Sequence, residues 1–410
     1  MKRVLKTHTV AFLLFLAISS LCLGSAFALQ LSEIKLAPGD APVGAEFGRS
    51  IAITGDLLAV GAGGATAGSI GKAGAVYLYK RQGQAYVREA KLIAPDATPG
   101  AEFGRAVAIQ GNTVAVGARF AQVGTLTSAG AAYVFRKVGG SWYLEAKIAS
   151  PTPANGDNFG RALAIQGDLL AVTARKEKDQ DPDQGAAYVF RRTGGSWTLE
   201  AKLTASDPMP SAYFGQSVTV QGDLIVVGAR NADPNGAGAI YLFCRSGDQW
   251  VQIAKLFPLD GKPGDQFAFT VGISGSLIAV GARRADSDAG AAYLFALTEE
   301  GAVQVAKLTA SDATGGDEFG QSIGMTGDTL AVGAWRADIS GTVNQGAVYL
   351  FRRMGNDWVQ VAKRTASDGA AYDEFGFSLS THGNLMAVGA SSPLPDGSNA
   401  GAAYVMPLRP

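Results

Sequence analysis

The chain has 410 residues, and its 35 lysines and arginines are balanced by 35 aspartates and glutamates. A protein without net charge has no long-range field to attract a nucleic acid or an anionic membrane, so we expect neither as a partner. The 54 glycines scattered through the sequence argue against long helices, because glycine destabilises a helix interior.

The N-terminus has the pattern of an export signal. A basic start precedes an apolar stretch at residues 10–23, and Ala26-Phe27-Ala28 forms a small-residue cleavage motif. We predict a secretory signal peptide at residues 1–28 and a mature protein at residues 29–410 that is secreted, periplasmic or on the cell surface.

Cys244 alone would remain after cleavage, so no intrachain disulfide is expected. No further segment is long and apolar enough to predict a membrane span, and the absence of an Asn-x-Ser/Thr acceptor favours a bacterial origin.

The rest of the sequence repeats one unit seven times. Each copy opens with a phenylalanine, and successive openings are 52 to 56 residues apart. A fixed period of this length is typical of proteins built from one repeated supersecondary unit. The opening residues are Phe47, Phe103, Phe159, Phe214, Phe267, Phe319 and Phe375, and each copy also carries one of Tyr77, Tyr133, Tyr188, Tyr241, Tyr293, Tyr349 and Tyr404.

Each full copy contains four short segments with the alternation of a β-strand. Residues 50–54 and 57–60 place apolar side chains at alternate positions, and Gly55 and Asp56 between them favour a tight hairpin turn. Residues 131–135 exemplify the third strand. The fourth, residues 142–148, is expected to be an outer strand with one buried and one wet face. Its predicted faces are Trp142, Leu144, Ala146 and Ile148 on one side and Tyr143, Glu145 and Lys147 on the other.

The two ends of the chain indicate how the copies are arranged. The seventh copy stops after its third strand at residues 404–406, while an additional fourth-strand pattern at residues 31–36 precedes the first copy. If this N-terminal strand completes the last sheet, the copies close into a ring and no open array exposes its strand edges. The sequence therefore predicts an all-β, seven-bladed β-propeller with four antiparallel strands per blade.

The repeated residues resemble a known family. The Phe-Gly opening, the Val-Gly-Ala that ends the second strand and the Gly-Ala-x-Tyr of the third are similar to FG-GAP repeats, which form the seven-bladed propeller of integrin alpha chains. The resemblance covers residues 29–410 and implies that one loop-bearing face binds a partner. Ala268 and Thr173 replace the glycines of these motifs in the fifth and third copies. Integrin calcium loops lie between the first and second strands, where this chain has only a tight turn, so the resemblance implies no calcium there.

Oxygen-bearing side chains alternate in three loops between the second and third strands. Such a loop, closed by glycine, can wrap a hard cation such as calcium, but Asp, Asn and Gly are also the commonest turn residues. A calcium site and a solvated turn therefore both stay open, and the loop of the fourth copy is nearest to a calcium motif. The candidate calcium ligands are Asp179, Asp181 and Asp183, then Asn231, Asp233 and Asn235, then Asp286 and Asp288.

In propellers of this kind the loops after the second strand and the interblade loops emerge on one face, which the resemblance implies is the partner-binding face. Arginines near the end of the second strand could contact a ligand, or could pair with interblade aspartates and lock neighbouring blades. Trp335 replaces one of these arginines and would be either a binding anchor or a residue packed against the seventh blade. The candidate ligand-binding residues are Trp335, Arg119, Arg175, Arg230, Arg283 and Arg336, and the aspartates are Asp40, Asp96, Asp207, Asp260, Asp312 and Asp368.

The sequence gives little support to catalysis. His382 lies beside a hairpin turn, Cys244 has no identifiable histidine partner, and Arg49, Arg105 and Arg161 are expected as solvated lining of the central channel. We expect a non-enzymatic, monomeric binding or adhesion module for an extracellular or envelope protein or glycan. Two alternatives stay open: a propeller hydrolase or lyase with a carboxylate site at the channel mouth, and a structural component of the envelope or matrix.

Overall fold

A computed structural model describes residues 33–178, 181–233, 235–391 and 400–409. Over these residues the chain forms seven four-stranded antiparallel sheets, with one short helical turn, α1 (Ala285–Asp288). The predicted all-β, seven-bladed propeller is confirmed. The structure contains no helix, within the described ranges, that is long and apolar enough to cross a membrane. The predicted signal peptide at residues 1–28 lies outside the described residues.

Each sheet is one blade, and the first strands of neighbouring blades contact each other around the central channel. The strands of blades 1 to 3 are β2 (Phe47–Thr54), β3 (Leu57–Ala62), β4 (Ala75–Gln82) and β5 (Ala85–Leu92); β6 (Ala106–Gln110), β7 (Thr113–Ala118), β8 (Ala131–Val138) and β9 (Ser141–Ile148); and β10 (Phe159–Gln166), β11 (Leu169–Ala174), β12 (Ala186–Thr193) and β13 (Ser196–Leu203).

Blades 4 to 7 repeat this order. Their strands are β14 (Phe214–Gln221), β15 (Leu224–Ala229), β16 (Ala239–Ser246) and β17 (Gln249–Leu256); β18 (Phe267–Ser274), β19 (Leu277–Ala282), β20 (Ala291–Thr298) and β21 (Gly301–Leu308); β22 (Phe319–Thr326), β23 (Thr329–Ala334), β24 (Ala347–Met354) and β25 (Asp357–Arg364); and β26 (Phe375–His382), β27 (Leu385–Ala390) and β28 (Ala402–Pro407), completed by β1 (Ile34–Leu36).

The N-terminal strand closes the ring, as the sequence predicted. β1 pairs antiparallel with β28, with Lys35 opposite Tyr404. Asp368 of the preceding interblade loop holds both residues, since its carboxylate accepts hydrogen bonds from the Lys35 Nζ at 2.5 Å and from the Tyr404 hydroxyl at 3.0 Å. Closure therefore depends on strand pairing and side-chain contacts, while Cys244 is a free thiol.

The opening phenylalanine packs within its own blade, and the repeated glycines bring neighbouring blades together. The buried Phe103 ring lies 5.3 Å from the Tyr133 ring and 6.0 Å from the Phe135 ring, both in edge-to-face geometry. A Cβ on Gly61 would come within 2.0 Å of the carbonyl oxygen of Gly104 in the next blade. The glycines of the repeat thus allow a backbone contact between blades that any side chain would prevent.

The predicted faces of the fourth strand are wrong in part, because a β-bulge interrupts it. In β9, Ala146 pairs with Val134 but Leu144 pairs with Phe135, so Glu145 is an extra residue. The bulge breaks the period-two alternation. As a result Leu144 is 39% exposed, and Glu145 instead turns toward blade 3, where it accepts a hydrogen bond from the Trp197 indole at 2.9 Å.

Candidate ligand-binding site at the channel mouth

Two sets of loops lie together on one face of the propeller. The loop after the second strand of blade 1 is joined to the following interblade loop by backbone hydrogen bonds, from Gly100 to Gly71 at 3.2 Å and from Glu102 to Lys72 at 3.3 Å. Corresponding bonds recur in blades 2 to 6, for example from Gly156 to the Thr127 carbonyl. We call this side the loop face; the tight turns between first and second strands lie on the opposite face.

Three sets of side chains surround the opening of the central channel on the loop face. We call their combined positions the channel mouth. The first set follows the opening Phe and lines a cavity of about 230 Å³: Arg49, Arg105, Arg161, Gln216, Phe269, Gln321 and Phe377. The second set precedes the Phe and has left-handed backbone angles: Glu46, Glu102, Asn158, Tyr213, Gln266, Glu318 and Glu374. The third set follows the second strand and comprises Arg119, Arg175, Arg230, Arg283 and Trp335 with its neighbour Arg336.

Blades 2 to 4 contribute five arginines and one carboxylate to the channel mouth. Glu102 is that carboxylate, and its Oε2 lies 2.8 Å from the Nε of Arg119 and 3.7 Å from the Nε of Arg105. At the equivalent position blades 3 and 4 have Asn158 and Tyr213, which carry no charge. We call this part the cation-rich sector, formed by Arg105, Arg119, Arg161, Arg175 and Arg230.

Arg161 is the least compensated residue of the cation-rich sector. Its side chain forms no hydrogen bond or ion pair with any residue that the structure describes, and its Nε is buried without a partner. The Nε atoms of Arg105, Arg175 and Arg230, and that of Arg49 in blade 1, are also buried without a hydrogen-bond acceptor within the described part of the chain. Such donors are costly to leave unsatisfied in a protein interior.

Aromatic rings support the arginines of both sides of the mouth. The guanidinium carbons of Arg230 and Arg175 lie 4.7 Å and 5.4 Å from the centre of the Tyr213 ring. On the opposite side the guanidinium carbon of Arg283 lies 4.0 Å from the Phe269 ring. Stacking on an aromatic face stabilises a cation and holds the guanidinium plane in a fixed orientation.

The opposite side of the mouth is balanced. Glu318 is buried, and its carboxylate lies 3.1 Å from Nη1 of Arg283 and 3.4 Å from Nη1 of Arg336. Glu46 lies 3.6 Å from the Nε of Arg49, and Glu374 also acts electrostatically on Arg49. We call this part the balanced sector: Arg283, Glu318, Arg336, Glu374, Glu46 and Arg49.

Electrostatics distinguish the channel arginines from solvated surface residues. Burial lowers the pKa of Arg161 well below its ordinary value, and the charges of Arg105, Arg175, Arg119 and Arg230 lower it further. Burial likewise lowers the pKa of Arg175 to about 10. The three first-strand arginines line the channel as predicted, but Arg49, Arg105 and Arg161 are each only partly exposed rather than fully solvated.

Trp335 is buried, with 8% of its surface exposed. Its ring lies edge-on to Phe377 of blade 7 at 5.2 Å, and its indole donates a hydrogen bond to Glu318 at 3.0 Å. Of the two interpretations of Trp335, the structure places it in packing against the seventh blade. The expected contact with a ligand would need its side chain to leave this position.

The interblade aspartates were expected to pair with the arginines at the ends of the second strands. In the structure they pair with lysines instead. The Asp96 carboxylate accepts hydrogen bonds from the Tyr133 hydroxyl at 2.8 Å and from the Lys147 Nζ. The lysine recurs because it occupies the fourth strand, next to the interblade loop that follows the preceding blade. The same pairing joins Asp207 to Lys255, Asp260 to Lys307, Asp312 to Lys363 and Asp368 to Lys35.

The candidate calcium ligands lie in three separate loops. Within the described ranges, no three His, Cys, Asp or Glu side chains lie close enough to hold a metal ion. Asp286 contacts the Nζ of Lys307 at 2.9 Å, and Asp288 lies 4.0 Å from Arg284. The amide of Asn231 donates to the Ser211 carbonyl at 3.2 Å. Calcium stays a prediction for all three loops, and Asp179 lies outside the described residues.

Sequence reasoning missed the residue that precedes each opening Phe. This position decides which side of the mouth carries carboxylates, because it is Glu in blades 1, 2, 6 and 7 and uncharged in blades 3 to 5. An alignment of the seven copies would have shown the asymmetry. It would not have shown that the side chain reaches the arginines of its own blade.

Comparisons with known proteins agree with the repeat. A family model described as FG-GAP repeat matches residues 31–79, 86–135, 142–190, 197–243, 250–295, 302–351 and 358–406. A search of curated proteins finds no significant match. The crystal structure of Sqt1 from Saccharomyces cerevisiae aligns over 88% of this chain and 83% of its own, with a TM-score of 0.51 and 11% sequence identity. At that identity the likeness concerns the fold alone.

Proposed function

Because the chain belongs to the FG-GAP repeat family, with seven repeats along its length, we propose that it is a non-enzymatic binding module that engages a partner through the channel mouth. The proposed partner is an extracellular or envelope protein or a glycan. The proposed location follows from the N-terminal export pattern, and the proposed module acts as a monomer. Calcium in the loops after the second strands remains an additional prediction.

The observation that carries this proposal is the cluster of uncompensated arginines at the mouth. A set of residues that served packing alone would satisfy its donors internally, since unpaired buried polar groups destabilise a fold. Arg161 instead has no partner in the described part of the chain, and Arg175 and Arg230 keep buried Nε donors unused. Residues that sacrifice stability in this way are expected at functional sites.

The carboxylates of the mouth favour binding over acid–base catalysis. Glu102 and Glu318 each contact two arginines. A carboxylate whose oxygens are held by guanidinium groups serves as an ion-pair partner, whereas a glycosidase-type mechanism uses two carboxylates that face the substrate. This contrast supports the binding interpretation against the alternative of a hydrolase or lyase.

Blocking one face at a time tests the proposal. In a Cys244→Ser background, Gln122→Cys places a thiol on the loop face of blade 2, and Asn112→Cys places one on the opposite face of the same blade. Both positions are exposed. Each thiol is coupled to a maleimide-polyethylene glycol, and the proteins are immobilised and exposed to envelope and secreted fractions, with and without calcium.

We expect ligand capture by the unmodified protein and by the Asn112→Cys conjugate, and loss of capture by the Gln122→Cys conjugate. Equal capture by both conjugates would overturn the assignment to the loop face. Chemical conversion of a captured glycan or peptide, followed by mass spectrometry, would overturn the non-enzymatic assignment. A requirement for calcium in capture would support the additional prediction.

A further inference from the structure

We infer that the cation-rich sector of the channel mouth binds a multiply charged oxyanion group of the ligand, such as a sulfate, a phosphate or a pair of carboxylates. The inference deepens the proposed function and rests on it for its biological meaning. The anion affinity itself is a separate property that can be measured without knowing the partner.

The charge balance of the sector requires more than a single negative charge. Its five arginines face one glutamate, Glu102, at the channel-mouth positions of blades 2 to 4. Asp183, in the loop beyond β11, acts electrostatically on Arg175 but forms no ion pair with it in the described structure. One carboxylate from a ligand would leave most of this positive charge uncompensated, so a group with two or more charges fits better.

Internal comparison between blades shows which donors remain free for a ligand. The Nη1 of Arg175 donates to Gln216 of the next blade at 3.0 Å, and the Nη1 of Arg283 donates to Gln321 of the next blade at 3.1 Å. Arg161 occupies the position of these glutamines in blade 3. An arginine cannot accept a hydrogen bond, so the contact that joins blades 3 and 4 and blades 5 and 6 is absent between Arg119 and Arg161. The two cations instead act electrostatically on each other.

The arginines are also preorganised. Tyr213 lies against the guanidinium groups of both Arg175 and Arg230, and Glu102 fixes Arg119 through its Nε. Guanidinium groups held in place lose less conformational entropy when they bind, and their planar forks match the oxygens of sulfate, phosphate and carboxylate.

The space available limits the ligand group to a small one. The cavity lined by Arg49, Arg105 and Arg161 encloses about 230 Å³, which is below the usual range of about 300–1,000 Å³ for drug-sized ligands. A polymer could therefore lie across the loop face and insert one charged substituent into the mouth. The charged substituent would then bind in the channel mouth, next to the larger loop face that the proposed function uses.

Calorimetric titration of the full chain tests the inference, with the ionic strength held constant by sodium chloride. The probes are sodium sulfate, sodium phosphate and trisodium citrate, and sodium acetate is the singly charged reference. The key variant is Arg161→Gln, because blades 4 and 6 already carry Gln216 and Gln321 at this position and the fold accepts the residue. The matched control is Arg88→Gln, the same change at an arginine that pairs with Asp40 and lies outside the lining of the cavity. Thermal unfolding of each variant verifies folding.

We expect at least one multiply charged probe to bind more tightly than acetate, and Arg161→Gln to weaken it by about 10-fold or more, as loss of a charge-assisted hydrogen bond implies. Arg88→Gln is expected to change the affinity less than about 3-fold, because Arg88 lies outside the cavity and its charge is compensated by Asp40. Absence of binding by all three probes, or equal loss in both variants, would overturn the inference.

The two proposals can fail separately. If the partner is captured on the loop face but excess sulfate, phosphate or citrate fails to compete with it and Arg161→Gln captures it normally, the oxyanion inference is overturned and the proposed function stands. If the probes bind at Arg161 but blocking the loop face leaves capture unchanged, the anion site stands and the proposed function is overturned. To identify the source of the oxyanion, competition by a sulfated oligosaccharide is compared with competition by a phosphorylated peptide.

Discussion

The cation-rich and balanced sectors of the channel mouth are made from the same repeat, yet only one of them neutralises its arginines. In the balanced sector Glu318 joins Arg283 and Arg336, and Glu46 faces Arg49. In the cation-rich sector Glu102 is shared by two arginines, and Arg161 has no partner among the described residues. The difference arises mainly from one position, the residue before each opening Phe.

Backbone geometry does not account for this difference. The position has a left-handed φ in every blade, between 51° at Glu318 and 60° at Asn158, and glutamate occupies it in four of them. A glutamate would therefore fit in blade 3, where it would compensate nearby cations. Glutamate is nevertheless absent from blade 3, which contributes as many arginines as blade 2, and from blade 4. The proposed binding of an anion accounts for the positive charge that this sector keeps.

The largest effect is expected from removing the acid that anchors the balanced sector. Glu318→Gln should lower the free energy of unfolding by about 3 kcal/mol, because it leaves the partly buried Arg283 without a counter-charge. The control Glu299→Gln, at an exposed turn, should change it by less than about 0.5 kcal/mol. Urea unfolding measures both. A loss no greater than that of the control would mean that the pairing around Glu318 contributes little, and the contrast between sectors would disappear.

The next effect tests the sector that lacks an acid. Asn158→Glu should raise the free energy of unfolding by about 1.5 kcal/mol, because the new carboxylate is expected to reach Arg161 and Arg175 as Glu102 reaches Arg105 and Arg119. The same substitution should reduce sulfate affinity. Asn155→Asp adds an equal charge at an exposed site of the same loop and serves as the control. A destabilised Asn158→Glu protein would show that the sector excludes acids for steric reasons.

A smaller effect of opposite sign is expected when the unpaired cation is removed. A lowered pKa for the Arg161 guanidinium means that the folded protein binds this proton less tightly than the unfolded chain, so the charge destabilises the fold. Arg161→Gln should therefore raise the free energy of unfolding by about 1 kcal/mol in chloride buffer, whereas Arg88→Gln, which removes a cation paired with Asp40, should not raise it. Added sulfate should stabilise the wild-type protein more than Arg161→Gln. Destabilisation by Arg161→Gln in chloride would contradict the assignment of an uncompensated charge.

The fold could be predicted from the sequence because the signal is repeated. Seven openings at a near-constant spacing specify the blades, and the additional strand before the first copy specifies how the ring closes, which Lys35 and Tyr404 then show in atomic detail. A departure of one copy from the consensus residues does not change the spacing of the others. Alternation failed only where one inserted residue changed its phase, as Glu145 does in β9.

The site could be predicted less well because it depends on contacts between blades. The arginines after the second strands were recognised, but their partners were not. An aspartate and an arginine on the same face of the propeller can still lie at different distances from the central channel. The aspartates contact lysines at the outer part of the blade, as Asp96 does with Lys147, while arginines surround the channel. Burial of Trp335 likewise follows from Phe377 in the next blade, which lies 42 positions further along the sequence.

The smallest effect on the free energy of unfolding is expected from the outer contacts between interblade aspartates and fourth-strand lysines. It should be the same beside both sectors. Burial alone would raise the pKa of Asp96 and Asp312, but hydrogen bonds from Lys147 and Lys363 outweigh it and hold each pKa below 3.8. The stabilisation is therefore complete above the unfolded pKa and is lost as the pH falls through the lower folded value. Asp96→Asn and Asp312→Asn should each cost about 0.5–1 kcal/mol at pH 7, and the cost should begin to fall below about pH 4 and vanish only below the lower folded pKa. Urea unfolding across this pH range measures both losses of stability. Unequal losses would show that the asymmetry of the channel mouth extends to the outer part of the blades.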